Sequence, residues 1–245
     1  ARSGAAQRRL EAAADALVAL VREAPDDISR YTLLRAVQAS APSAFHAALA
    51  RRTAELLPLV YTPTVGDACA RYHTLDLPRA GSRYAGLYLS SADKGNVLEA
   101  LRSRWPSDGR DVRVVVLTDG ERILGLGDLG AGGMGISVGK ILLYTAVAGV
   151  DPGACVPMLI DVGTNNEAVR SAPGYGGVRA PRLRGDAYAS LLSEVVHAVR
   201  AWAPRAVLQF EDFGNTNAFT LLRAHRTTLP CFNDDIEGTA SVACA

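Results

Sequence analysis

The chain has 245 residues, enough for one large domain or two small ones with a substantial core. Its 26 Lys plus Arg against 25 Asp plus Glu leave a net charge of +1, so no broad basic field recommends nucleic acid as a partner. The longest apolar segment, ILLYTAVAGV at 141–150, is too short to span a bilayer, and ALVALV at 16–21 is too short for a signal peptide, so no membrane partner is expected.

Residues 1–60 are rich in Ala and Leu. Leu10, Ala14, Leu17, Val18 and Val21 follow helical spacing, and Pro42 and Pro58 punctuate what reads as several helices. From 85 onward the texture changes to apolar runs at 86–90, 112–120, 156–163, 206–212 and 229–235, separated by helical segments. The clearest of these is 186–202, with Tyr188, Leu191, Leu192, Val195, Val196 and Val199 on one stripe. Residues 170–185 read as an irregular connection. Strands alternating with helices predict an α/β fold: a helical N-terminal domain at 1–84, then a mostly parallel α/β sheet domain at 85–245. TASVACA at 239–245 reads as the start of an unfinished helix, which suggests a fragment. Cys69, Cys155, Cys231 and Cys244 form no CxxC pair, favouring reduced thiols in an intracellular compartment.

Four runs end in acids: Asp119, Asp161, Glu211 and Asp234. Open α/β sheets bind ligands beyond the carboxyl ends of their strands, so these loops are the expected site region. The adjacent pairs Glu211-Asp212 and Asp234-Asp235 are the most informative, because carboxylates without Cys or His suit a hard dication such as Mg²⁺ or Mn²⁺. GLGDLG at 125–130 matches GxGxxG, but DGERIL intervenes between strand and glycines and the glycines run on to 135, so a closely packed loop is the better reading than a dinucleotide turn. Lys140 does not complete a Walker A motif, since Met134 and Ile141 stand where Gly and Ser/Thr are required.

From YTPTVGDAC (61–69) and DGERILGLGDLGAGGMGISVGK (119–140) the chain resembles malic enzymes. IDVGTNNE (160–167), FEDFGNTNAF (210–219) and FNDDIEGTA (232–240) continue the match in the same order, from residue 55 to the end. The resemblance implies oxidative decarboxylation of malate to pyruvate and carbon dioxide with NAD or NADP and Mg²⁺ or Mn²⁺. It implies Tyr61 as general acid, Lys140 as general base, Arg122 as a malate-carboxylate ligand, Glu211, Asp212 and Asp235 as metal ligands, and Asp234 as a carboxylate tuning the base. It further implies a homodimer or homotetramer in cytoplasm or mitochondrion, and a dinucleotide-binding Rossmann domain beyond Ala245, without which these 245 residues are expected to be inactive. Ser137 stands where many relatives have proline and Glu237 where many have glutamine; the extra charge is expected to alter metal affinity.

The residue types suit that chemistry. A lysine base needs its pKa of about 10.4 lowered by burial or a nearby dication, and an adjacent Asp234 opposes that. A tyrosine with pKa near 10 is protonated, as an acid must be. Each assignment has a plainer competitor: Arg122 a surface ion pair, Lys140 a solvated lysine, Tyr61 a core-edge residue, Asp212 and Asp235 helix caps. Two other functions stand beside the resemblance: another Mg²⁺-dependent α/β enzyme such as a phosphatase or lyase, and a non-catalytic α/β module.

Overall fold

The amphipathic N-terminal pattern becomes a helical layer in the computed structural model, which describes residues 4–78 and 82–245. In α1 (Gly4–Glu23) the spaced residues Ala14, Leu17, Val18 and Val21 are the buried stripe. α2 (Asp27–Ser40) starts at Asp26, whose carboxylate accepts from Ser29 N at 2.8 Å. α3 (Pro42–Arg51) has Pro42 in its first turn, where no intrahelical N–H bond is lost. Pro58, expected to punctuate the helices, lies inside α4 (Thr53–Val60), near its end. α5 (Thr64–Ala70) follows. Phe45, Leu49, Leu56 and Val60 close with the α1 stripe into one apolar cluster, each such side chain contributing about 1.5–3 kcal/mol by leaving water.

The five apolar runs become five strands. β1 (Leu87–Ser90) leads to α6 (Val97–Arg104), β2 (Val114–Thr118) to α7 (Met134–Ala146), and β3 (Cys155–Asp161) to α8 (Glu167–Ser171) and α9 (Gly185–Trp202). β4 (Val207–Phe210) is followed by α10 (Asn215–His225), and β5 (Cys231–Asn233) by a π-helical turn, Asp234–Gly238, and α11 (Thr239–Cys244). Every ladder is parallel, in the order β1-β3-β2-β4-β5. The predicted irregular connection is shortened at its start by α8. The four cysteines are unpaired, and among the described residues no helix is long and apolar enough to cross a membrane.

Alternation along β2 shows why its sequence is apolar throughout. Val115 and Leu117 pack with Leu101 of α6, Leu192 of α9 and Leu221 of α10, whereas Val114 and Val116 pack with Ile141 of α7. The chain therefore leaves β2 toward one face and neighbouring β4 toward the other. Their diverging loops mark the place where such sheets leave a crevice.

Candidate active site

Register brings the two acidic pairs to one level. Leu117 of β2, Phe210 of β4 and Asn233 of β5 are successive lateral partners, so the next residues, Glu211 and Asp234, emerge from adjacent strand ends. Glu211 N still donates to Leu117 O at 2.9 Å, which holds that residue at the sheet edge. Asp212 then turns the chain in the left-handed region, φ 53°, which Asp tolerates better than most residues. Neither Asp212 nor Asp235 is a cap. α10 begins at Gly214 without side-chain capping, and the turn after β5 is capped by Asn233, which accepts from Ile236 N.

Lys140 reaches these acids from α7. Its Nζ lies 2.7 Å from Asp234 Oδ2 and 3.1 Å from Glu211 Oε1. Tyr61, at the end of α4, faces the same carboxylate, its hydroxyl 3.5 Å from Glu211 Oε1 and its ring centroid 5.2 Å from Lys140 Nζ. Gly139 permits this approach, for a Cβ there would sit 2.7 Å from Tyr61 Cδ2. Four elements distant in sequence thus bring Tyr61, Lys140, Glu211 and Asp234 together.

The electrostatics follow from burial. Glu211 is 3% exposed, and burial with the Asp212 and Asp234 charges pushes its pKa up to about 8, against the pull of Lys140. Burial would lower Lys140, but Glu211, Tyr61 and Asp234 outweigh it and hold the ammonium above its ordinary range. Both groups therefore hold their protons more tightly than they would in water. Burial and Glu211 also hold the Tyr61 phenol up, keeping it a proton donor. Asp212 rises through burial and the charge of Asp235.

Asp212 and Asp235 adjoin the cluster: Asp212 N donates to Asp235 Oδ2 at 2.9 Å, and Asp212 Oδ2 accepts from Leu124 N at 3.0 Å. Glu211, Asp212 and Asp235 offer the hard oxygen donors a divalent cation takes, and two of them carry a buried or like-charge penalty that a cation would offset. By donor chemistry they fit such an ion. Among the described residues, no three acidic, His or Cys side chains already converge on one metal position, since Glu211 faces Lys140.

Arg122 stands apart from the cluster. Its backbone N donates to Asp212 O at 3.2 Å, but its exposed guanidinium rests on Asn215 Oδ1. Glu121 beside it accepts from Asn217 Nδ2 at 3.0 Å and pairs with Arg184. Glu237 turns to Arg226 at 3.2 Å and accepts from Asn233 N, so its charge is partnered away from Asp235. Ser137 is buried and donates to Met158 O of β3 at 3.3 Å. Two residues escaped the sequence reading. Gln209 donates to Glu211 Oε2, and Tyr144 donates to the Gln209 amide oxygen. Their signal was periodicity: Gln209 is two residues from Glu211 on a strand, and Tyr144 four from Lys140 on a helix.

The other two strand-end acids are built into the fold. Asp119 receives the Tyr188 hydroxyl at 2.6 Å and lies 3.3 Å from the wholly buried Arg182, which also binds Asp128 at 2.7 Å. Asp161 accepts from Gly163 N and Val178 N. The glycine loop is closely packed, as expected: Gly120, at φ 70°, leaves no room for a Cβ against Gly130 O. A cavity of about 570 Å³ beside β1, with Tyr72, His73, Arg104 and Asp161 in its wall, lies away from the lysine cluster.

Residues 38–226 match the family model for the malic enzyme N-terminal domain. The chain belongs to the malic enzyme family. It is 48% identical over 226 residues to a chloroplastic NADP-dependent malic enzyme of Flaveria pringlei, covering 92% of this chain and 34% of the relative. The Zea mays chloroplastic NADP-dependent malic enzyme is 47% identical with the same coverage, and an NADP-dependent malic enzyme of Phaseolus vulgaris is 48% identical over 219 residues, 89% of this chain and 36% of the relative. The chain spans about a third of the length of the curated relatives it matches. The expected cytoplasmic or mitochondrial placement is not borne out: the similar enzymes of Flaveria pringlei and Zea mays are named as chloroplastic.

Proposed function

We propose that this chain provides the malate- and metal-binding part of an NADP-dependent malic enzyme, which oxidatively decarboxylates malate to pyruvate and carbon dioxide. The observation that carries the reading is Glu211 Oε1, met by Lys140 Nζ at 3.1 Å and the Tyr61 hydroxyl at 3.5 Å: a proton acceptor and a proton donor around one metal-competent carboxylate. NADP is chosen over NAD because the similar enzymes are named for it. We assign its binding mainly to parts of the protein outside these residues. A homodimer or homotetramer is the assembly we carry over from the family.

Glu211, Asp212 and Asp235 would hold Mg²⁺ or Mn²⁺. When bound, the cation would supply Lewis-acid polarisation at the substrate oxygen, and NADP a hydride acceptor. Arg122 turns from Asn215 to bind a malate carboxylate through its planar fork. Lys140 Nζ takes the malate hydroxyl proton as the neutral amine: once Glu211 has turned from it and no longer holds it charged, the ammonium first releases its proton to solvent. Asp234 stays beside the amine and orients it. Tyr61 donates its hydroxyl proton to the substrate carbon after carbon dioxide leaves, and its raised pKa keeps that proton available.

The test is malate-dependent NADP reduction by the full-length protein with Mn²⁺. Tyr61→Phe should lower kcat by about 10²–10⁴-fold with unchanged thermal unfolding, and Lys140→Ala should lower it by as much. Wild-type rates in either variant would end the reading. The 245-residue chain by itself should reduce no NADP.

A further inference from the structure

Four polar side chains stand in a two-by-two array between α7 and β4. Lys140 and Tyr144 are one turn apart on the helix, and Glu211 and Gln209 are two residues apart on the strand, so both pairs face the same interface. Lys140 meets Glu211, and Tyr144 meets Gln209. Along the strand the Gln209 amide nitrogen donates to Glu211 Oε2, leaving Glu211 Oε1 to Lys140 and Tyr61. Gln209 is 0% exposed, and Leu208 and Phe210 on either side of it point into the opposite, apolar cluster.

We propose that Tyr144 and Gln209 are positioning residues that fix the orientation of the Glu211 carboxylate. In the ionised form that binds a cation the Glu211 carboxylate can only accept, so the amide turns its nitrogen toward it. The amide oxygen then points the other way and needs a donor, because a buried acceptor left unpaired keeps its full desolvation penalty. The Tyr144 hydroxyl is that donor. Without it, the amide can rotate, and Glu211 loses the contact that separates its two oxygens. Such outer partners commonly change metal affinity by about 10–100-fold although they touch no metal.

The proposal rests on the metal reading of Glu211 only for its affinity readout. In the full-length protein, Tyr144→Phe and Gln209→Met, singly and together, are compared by three measurements: Mn²⁺ calorimetry, thermal unfolding, and the side-chain amide resonance of Gln209 in metal-free protein. Tyr144→Phe should move that resonance and weaken Mn²⁺ about 10-fold, Gln209→Met should weaken it at least as much, and the double variant no further than Gln209→Met. A merely structural role would make the effects additive and parallel to unfolding. A Gln209 resonance indifferent to Tyr144→Phe, or additive losses of affinity, overturns the proposal. If the parent takes up no Mn²⁺, the metal reading fails, and the amide resonance decides this proposal alone.

Discussion

The β2–β3 side and the β4–β5 side of this sheet both end in buried acids, yet they use them differently. Asp119 and Asp161 are met by groups the fold supplies permanently: Arg182, Tyr188 and the N–H groups of Gly163 and Val178. Glu211 and Asp234 share one lysine, and Glu211 is pressed by further carboxylates. An acid whose lone pairs are satisfied by the fold is structural. An acid whose neighbours are other acids is incomplete until something positive arrives.

Removing the permanent partner should give the largest effect. Arg182→Met strands the buried Asp119 and the partly buried Asp128 and should cost about 3–5 kcal/mol in denaturant unfolding. Glu211→Gln should cost far less stability while abolishing Mn²⁺ binding; equal losses in both would erase the contrast. Tyr188→Phe, which removes a donor to Asp119, should cost about 2 kcal/mol.

The pH dependence separates the sides further. Burial raises Asp119 to about 6 and Glu211 to about 8, so both retain protons in the folded state that they release when unfolded. Each contribution is fully present below the unfolded pKa near 4 and is lost as pH rises through the folded value. Between pH 6 and 8 the metal-free protein should keep losing stability, by at most about 1.4 kcal/mol per pH unit for a single group, and Glu211→Gln should flatten that slope. Unchanged slopes in the variant would remove Glu211 as its cause. The smallest effect belongs to Gly139→Ala: the added methyl displaces the Tyr61 ring at about 1 kcal/mol, read by unfolding, with a larger fall in kcat.

Much of the architecture was legible because it depends on local pattern. The α1 stripe, the α9 stripe and the five apolar runs announced elements that the fold contains, since burial on one helix face or both strand faces requires those residues. Pro58 misled, because a proline near a helix end loses only one N–H bond and the chain passes through it.

The sequence by itself determined which chemistry was available: paired carboxylates, a phenol and an amine in motifs sufficient to name a family. Only the tertiary structure decided which of these groups meet. Spacing says nothing about strand order, so it could not tell that β4 and β5 present Glu211 and Asp234 together while Asp119 is claimed by Arg182. Periodicity sets Gln209 on the face of Glu211 and Tyr144 on the face of Lys140, but it could not show that the two meet, because a hydrogen bond between strand and helix depends on the register of two packed surfaces.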